Sequence, residues 1–367
     1  MKRSFISKLS QQPLLFLLLL PLCIVLSEQP TRSITRQARK VALGKALFFD
    51  TRLSADGGVS CATCHDPARA FTSREPRAVG AHGQIGTRNA PTVLNSAYRA
   101  SYFWDGRVGT LEEQAKRPLL NRAEMGMQTE AALIERLRRI SEYRRDFGDI
   151  FPQRGITLET IAQAIAAYER TLISDTSPFD RFMQGDVNAL TENQRRGWQL
   201  FRGKARCIEC HQFTETSPFF TDSRFYNTGI IARGQHFAEL QARAGEIRLN
   251  HPGLEASELA HNEQLAELGR FLVTGRQAEI GAFRTPTLRD VELTWPYMHD
   301  GSLGTLLDVV RFYNRGGNPN PNLDEKIRPL NLTDEEMNNL VEFMRSLTST
   351  DVLREAQAAK PQGRRRT

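Results

Sequence analysis

The chain has 367 residues, 40% hydrophobic and 25% charged, which is globular composition and long enough for two domains. Lys and Arg number 49 against 42 Asp and Glu, a formal charge of +7. No DNA- or RNA-binding module is visible, so the basic balance reads as a solvated surface facing an acidic protein partner rather than nucleic acid.

The first 27 residues have the shape of a secretory leader: a cationic start, an apolar run from about Leu14 to Leu26, then polar chain. That run is short for a membrane span. Val25 and Ser27 suit a cleavage site after Ser27, and an uncleaved anchor is the alternative. The expected location is the periplasm.

The next element reads GKALFFDTRLSADGGVSCATCHDPARAFT, and the chain returns to its pattern in GWQLFRGKARCIECHQFTETSPFFT. Gly44, Leu47 and Phe48 match Gly197, Leu200 and Phe201. Each run then leads to Cys-x-x-Cys-His, at Cys61, Cys64 and His65 and again at Cys207, Cys210 and His211. A unit repeated once at this distance implies two similar domains rather than a solenoid. Between the copies, TLETIAQAIAAYERTLI spaces Leu158, Ile161, Ile165, Tyr168 and Leu172 as one helix face. The polar chain over 174–194 is the expected boundary. Thr191-x-x-Gln194 and Thr333-x-x-Glu336 read as capping boxes opening helices. Residues 231–267, with His236, His251 and His261, are polar and carry no assignable motif. TLLDVVRFYN then places Leu306, Val309, Val310 and Tyr313 on one face. Strand alternation is scarce, so the expected class is mostly α with long loops.

Paired cysteines serve several chemistries. A disulfide does not need the following histidine. A zinc centre could take four cysteines, yet each pair sits in its own copy with its own histidine. A thioredoxin-like site expects a βαβ context that is missing. Covalent c-type haem uses every residue: two thiols for the vinyl groups and the histidine as proximal iron ligand. A structural disulfide or zinc remains the lesser reading. Two haems would bring four propionates and lower the formal charge to about +3.

Beyond these motifs the chain resembles the bacterial di-haem cytochrome c peroxidases and their relative, the di-haem enzyme that matures methylamine dehydrogenase. The resemblance covers nearly all of the chain after residue 40. It rests on GTRNAPTVLN (86–95), YFWDGR (102–107), SPFDRF (177–182), FRTPTLRDVELTWPYMHDG (283–301) and VVRFYNRGG (309–317). It implies two cytochrome-c-like domains with one covalent haem each, a peroxidatic one over 41–175 and an electron-transfer one over 190–350, before a basic tail over 351–367. His65 and His211 would be the proximal ligands. His82 resembles a loop ligand that leaves the first iron on activation. Glu124 matches the distal glutamate that moves the peroxide proton, and Gln114 and Pro118 resemble other distal-pocket residues. Trp104 resembles the indole between the haems, and His299 a histidine near the second. The sixth ligand of the second haem is a departure: the peroxidases use methionine, whereas this chain has Tyr313 at that place, as the maturation enzyme does. Met298 is the alternative ligand. Asn89, Thr294 and Pro296 fall where the family binds one calcium.

The favoured function is reduction of hydrogen peroxide to water, fed by a small cytochrome c or cupredoxin. The rivals are a peroxide-dependent oxidase of a protein or small molecule, and a non-enzymatic di-haem electron carrier. A homodimer is left open by the sequence.

Overall fold

The computed structural model describes residues 35–231, 236–250 and 255–358. They form a largely helical body with one two-stranded antiparallel sheet, in which β1 (Phe225–Tyr226) faces β2 (Phe283–Arg284). Six helices matter for the site. They are α1 (Arg36–Phe49), α2 (Leu111–Leu120), α3 (Leu158–Glu169), α4 (Glu192–Arg202), α5 (Leu306–Asn314) and α6 (Asp334–Arg345). A threonine opens five of them. Thr157, Thr191 and Thr333 close capping boxes, while the Thr110 and Thr305 hydroxyls accept from backbone N–H groups of the first turn.

The repeated glycine has a packing reason. A Cβ on Gly44 would lie 1.8 Å from the Ala164 carbonyl oxygen, and one on Gly197 would lie 1.9 Å from that of Asn339. So α1 crosses α3, and α4 crosses α6, at backbone contact that only glycine admits. Each crossing buries the residues that follow the glycine. Leu47 and Phe48 enter a core with Ile161, Ile165 and Phe147. Phe201 enters a second core with Phe179, Phe220, Leu340 and Phe343. Each fully buried Phe or Leu stabilises the fold by about 1.5–3 kcal/mol, so each crossing anchors its own Cys-x-x-Cys-His segment.

The duplication runs further than the sequence reading recognised. The Thr72 hydroxyl donates to the Ala90 carbonyl, and that of Thr221 to Thr285 at 2.7 Å. Thr92 donates to Ala70 at 2.6 Å, and Thr287 to Phe219 at 2.6 Å. The Tyr102–Val108 bridge returns as Tyr297–Leu303. Phe103 and Met298, next in line, both take a left-handed backbone, at φ 64° and 73°. The threonine caps Thr110 and Thr305 follow in the same register, which pairs α2 with α5 position by position. Gln114 then corresponds to Val309, and Pro118 to Tyr313.

Two stretches pack more closely than their polarity suggests. The first lies within 174–194. Ser174 is buried, donates to Asp290 Oδ2 at 2.5 Å and lies 2.7 Å from the Ser349 hydroxyl, and Phe179 is fully buried. The second follows residue 349. The chain is helical over Thr350–Ala358, and Val352 is buried in the first core. The leader region and residues 359–367 lie outside the described residues. Among the described residues no helix is long and apolar enough to cross a membrane.

Candidate functional site

One helical turn, Cys61–Cys64, sets the first cysteine pair on one face and turns the chain into His65, whose N–H donates to Cys61 O at 2.9 Å. The second copy repeats it: His211 N–H donates to Cys207 O at 2.9 Å. Each imidazole Nδ1 meets a backbone carbonyl, Phe71 O at 3.2 Å for His65 and Phe220 O at 3.0 Å for His211. Both phenylalanines have positive φ, 57° and 54°, which turns those carbonyls toward the rings. A proton held on Nδ1 leaves Nε2 with a free lone pair, the form that ligates a metal. Burial keeps both rings neutral, lowering His65 to about 4 and His211 in the same direction.

Each motif opens onto its own cavity. The first, about 1400 Å³ with its mouth, is lined by Cys61, Cys64 and His65 together with Gln114, Pro118 and Glu124. Gln114 and Pro118 come from α2, one turn apart. Glu124 comes from the loop after it, and Asn121 Nδ2 donates to Glu124 Oε1 at 2.7 Å. Burial raises the Glu124 carboxyl above the ordinary glutamate range, against the pull of Asn121 and Arg107. The second cavity, about 1630 Å³ with its mouth, is lined by Cys207, Cys210 and His211 together with Val309 and Tyr313 of α5 and Met298. The α5 face thus divides: Leu306 and Val310 enter the second core, while Val309 and Tyr313 line the cavity. Burial raises the Tyr313 phenol, and the Cys210 and Cys207 thiols act on it in the same direction.

Trp104, Asn89, Pro91 and Arg99 line both cavities. The Trp104 indole N–H donates to Asn89 O at 2.8 Å, and Asn89 N–H donates to His299 O at 2.7 Å. His299 is buried, stacks on Phe283 at 3.5 Å and bonds Glu267 Oε2 at 2.8 Å. Thr294 and Pro296 join Asn89 on the wall of the second cavity. His82 does not join the first: it is exposed, and its backbone N–H is bound to Asp56 Oδ2 at 2.7 Å. His261 does line the first cavity. A lone histidine in a polar segment gave no signal of that.

The cavities suit covalent haem. All four cysteines are free thiols, and the pairs face different cavities, so a single four-cysteine zinc centre is not assembled. The walls also carry two guanidinium groups, half-buried Arg99 and buried Arg284, that form no ion pair among the described residues. Arg99 bonds the carbonyls of Thr92 and Leu94, and Arg284 those of Phe103 and Thr285. Buried cations need a counter-charge, which a dicarboxylate cofactor brings. The calcium set is weaker in kind: Asn89, Thr294 and Pro296 offer neutral oxygens, which suit a hard cation completed by water.

Comparison with known proteins agrees with this geometry. Residues 38–188 match the family model for di-haem cytochrome c peroxidase. The chain is 37% identical to cytochrome-c peroxidase IdrP1 of Pseudomonas sp. (strain SCT), over 87% of this chain and 83% of that one. The chain belongs to the di-haem cytochrome c peroxidase family. It is therefore an oxidoreductase of the cytochrome-c peroxidase type. The family is not uniform in reaction. The chain is also 35% identical to the methylamine utilization protein MauG of Methylophilus methylotrophus, over 84% of this chain and 82% of that one. Among solved structures, a MauG-like protein associated with microbial copper homeostasis superposes with a TM-score of 0.70 at 32% identity, covering 86% of this chain and 91% of its own.

Proposed function

We propose that this di-haem enzyme reduces hydrogen peroxide to water at the His65 cavity. Electrons enter from a small cytochrome c or cupredoxin at the His211 cavity. The observation that carries this reading is an asymmetry between the duplicated copies. In the first, the cavity of the proximal histidine is also lined by Gln114 and Pro118, with Glu124 just beyond α2. In the second, the corresponding positions are Val309 and Tyr313.

When bound, the haems supply redox-active iron and the covalent tether. The rest is done by the chain. Pro118 has no side-chain atom that could ligate iron, so it would leave room for peroxide in the His65 cavity. Glu124 Oε1 is held by Asn121, which leaves Oε2 to take a proton from peroxide and return it to the departing oxygen. The Gln114 amide orients peroxide by hydrogen bonding. On the other side, Tyr313 would join His211 in holding the iron of the second haem. Its hydroxyl has no hydrogen-bond partner among the described residues, and its place in the duplication is that of Pro118 on the open face. Met298 corresponds instead to Phe103. Trp104, its indole pinned to Asn89, is the path between the haems, and Asn89, Thr294 and Pro296 hold the calcium.

Each half, 41–175 and 190–350, is read as a cytochrome-c-like unit with one haem, working in the periplasm. His82, exposed and outside the cavity lining, is read as no ligand in this arrangement. The steady-state oxidation of a reduced small cytochrome c tests the reading. Two donors should be oxidised per peroxide, at a rate lost in Glu124→Gln. Peroxide consumption without donor oxidation would instead favour the second reading, a peroxide-dependent oxidase of a protein or small molecule, which Tyr313 supports.

A further inference from the structure

The link between Phe220 and Pro286 is far longer than its counterpart between Phe71 and Pro91. The end of this extra chain, 255–268, laps over the first copy. The Thr87 hydroxyl donates to Ala260 O at 2.9 Å, Arg88 bonds Ala266 O, and Arg77 pairs with Glu263 at 2.6 Å. Held by these bonds, His261 follows the short Ala256–Ala260 helix and faces the first cavity. Its Nε2 lies 3.0 Å from Asn121 Nδ2. The Asn121 amide cannot turn over freely, because its Oδ1 accepts the Ala123 N–H at 3.0 Å. Its two amide hydrogens are therefore shared out, one to Glu124 Oε1 and one to His261 Nε2. That arrangement requires Nε2 to be an acceptor, so the ring proton sits on Nδ1.

We propose that His261 is a positioning residue for the peroxide chemistry of the first cavity, acting through Asn121 to fix the Glu124 carboxylate. The inference rests on the reading of Glu124 as the proton acceptor. The surroundings keep the ring in its acceptor form. Burial, with Arg107, Arg88 and Arg117 nearby, lowers His261 to about 4, against the opposing Asp105. Among the described residues the Glu124 carboxylate has one side-chain hydrogen bond, from Asn121, and Arg107 acts on it by charge alone. The inserted segment of one copy thus completes the distal pocket of the other, and a polar stretch without a motif acquires a function.

The test uses the haem-loaded protein and cyanide, which binds as the acid and needs a base to remove its proton. Its association is followed by absorption across pH in wild type, His261→Leu and His261→Gln. Glutamine restores an acceptor oxygen; leucine does not. With Asn121 released, Glu124 loses a bond that stabilises its charged form. The acid limb should therefore move up by about one pH unit in His261→Leu. The rate below it should fall about tenfold, and His261→Gln should return both to near wild type. An unmoved limb in His261→Leu would overturn the proposal. So would equal impairment in leucine and glutamine variants, which would make the residue simple packing. Failure of the wild type to bind cyanide would overturn the open-cavity reading and this inference with it. Donor oxidation, measured separately, reports on the peroxidase reading alone.

Discussion

Glu124→Gln removes one proton-accepting atom and little else. The amide is nearly isosteric, and its Oε1 can still accept from Asn121 Nδ2, 2.7 Å away in the parent. No ready substitute stands in the cavity. The other carboxyl on its wall, Glu169, is held up to about 8 by burial, so it is mostly protonated at neutral pH. Its neighbours are Arg99 and Cys61 rather than the α2 residues of the distal side. Loss of a positioned base costs about 10²–10⁴-fold, or about 3–5 kcal/mol on the barrier. The assay is the bimolecular rate constant for peroxide in stopped flow, measured against pH. Because burial raises the Glu124 carboxyl, the base form is lost as pH falls through a value above the ordinary glutamate range. The wild-type acid limb should lie there, and it should vanish in Glu124→Gln. A variant within threefold of wild type, or one that keeps the limb, would refute the assignment.

Other substitutions probe the frame around this chemistry. Alanine at Gly44 or Gly197 would gain about 1 kcal/mol of helix propensity, but the new Cβ meets carbonyls at 1.8 and 1.9 Å. Denaturant unfolding should show a net loss of about 2 kcal/mol or more, with Gly44→Ala disturbing the His65 haem spectrum and Gly197→Ala that of His211. A gain in stability would contradict the crossing. Tyr313→Phe should change the spectrum of the second haem alone; an unchanged spectrum would transfer the ligand role to Met298. Glu169→Gln should flatten the pH dependence of stability. The raised value means the folded chain binds a proton the unfolded chain has released, so wild-type stability falls as pH rises from about 4.5 to about 8. An unaltered slope in thermal melts would put Glu169 in contact with water.

Much of this was legible in the residues because it is local. Cys-x-x-Cys-His fixes thiols and ligand within one turn, a capping box is complete within four residues, and Gly44 and Gly197 announced themselves by repetition. The second half of the duplication was harder to see. Pro91, Thr92, Tyr102 and Thr110 return as Pro286, Thr287, Tyr297 and Thr305, but the insertion before Pro286 breaks the register with the cysteine motifs. The periodicity of α5 could not divide its face, because a wall against an apolar cofactor and a wall against a core use the same residue types. Ser174 looked like linker because its polar partners, Asp290 and Ser349, are distant in sequence. His261 carried no local signal at all, since its meaning depends on where a long insertion comes to rest.

The central claim is a division of labour, with peroxide reacting beside Glu124 and electrons arriving at the other haem. Stopped-flow absorption of the haem-loaded protein mixed with hydrogen peroxide, with and without reduced small cytochrome c, tests it most directly. The account predicts a fast change at the first haem that is reversed by the donor, with continued donor oxidation until peroxide is spent. A lasting oxidised spectrum that the donor leaves untouched, or no change at either haem, would contradict it.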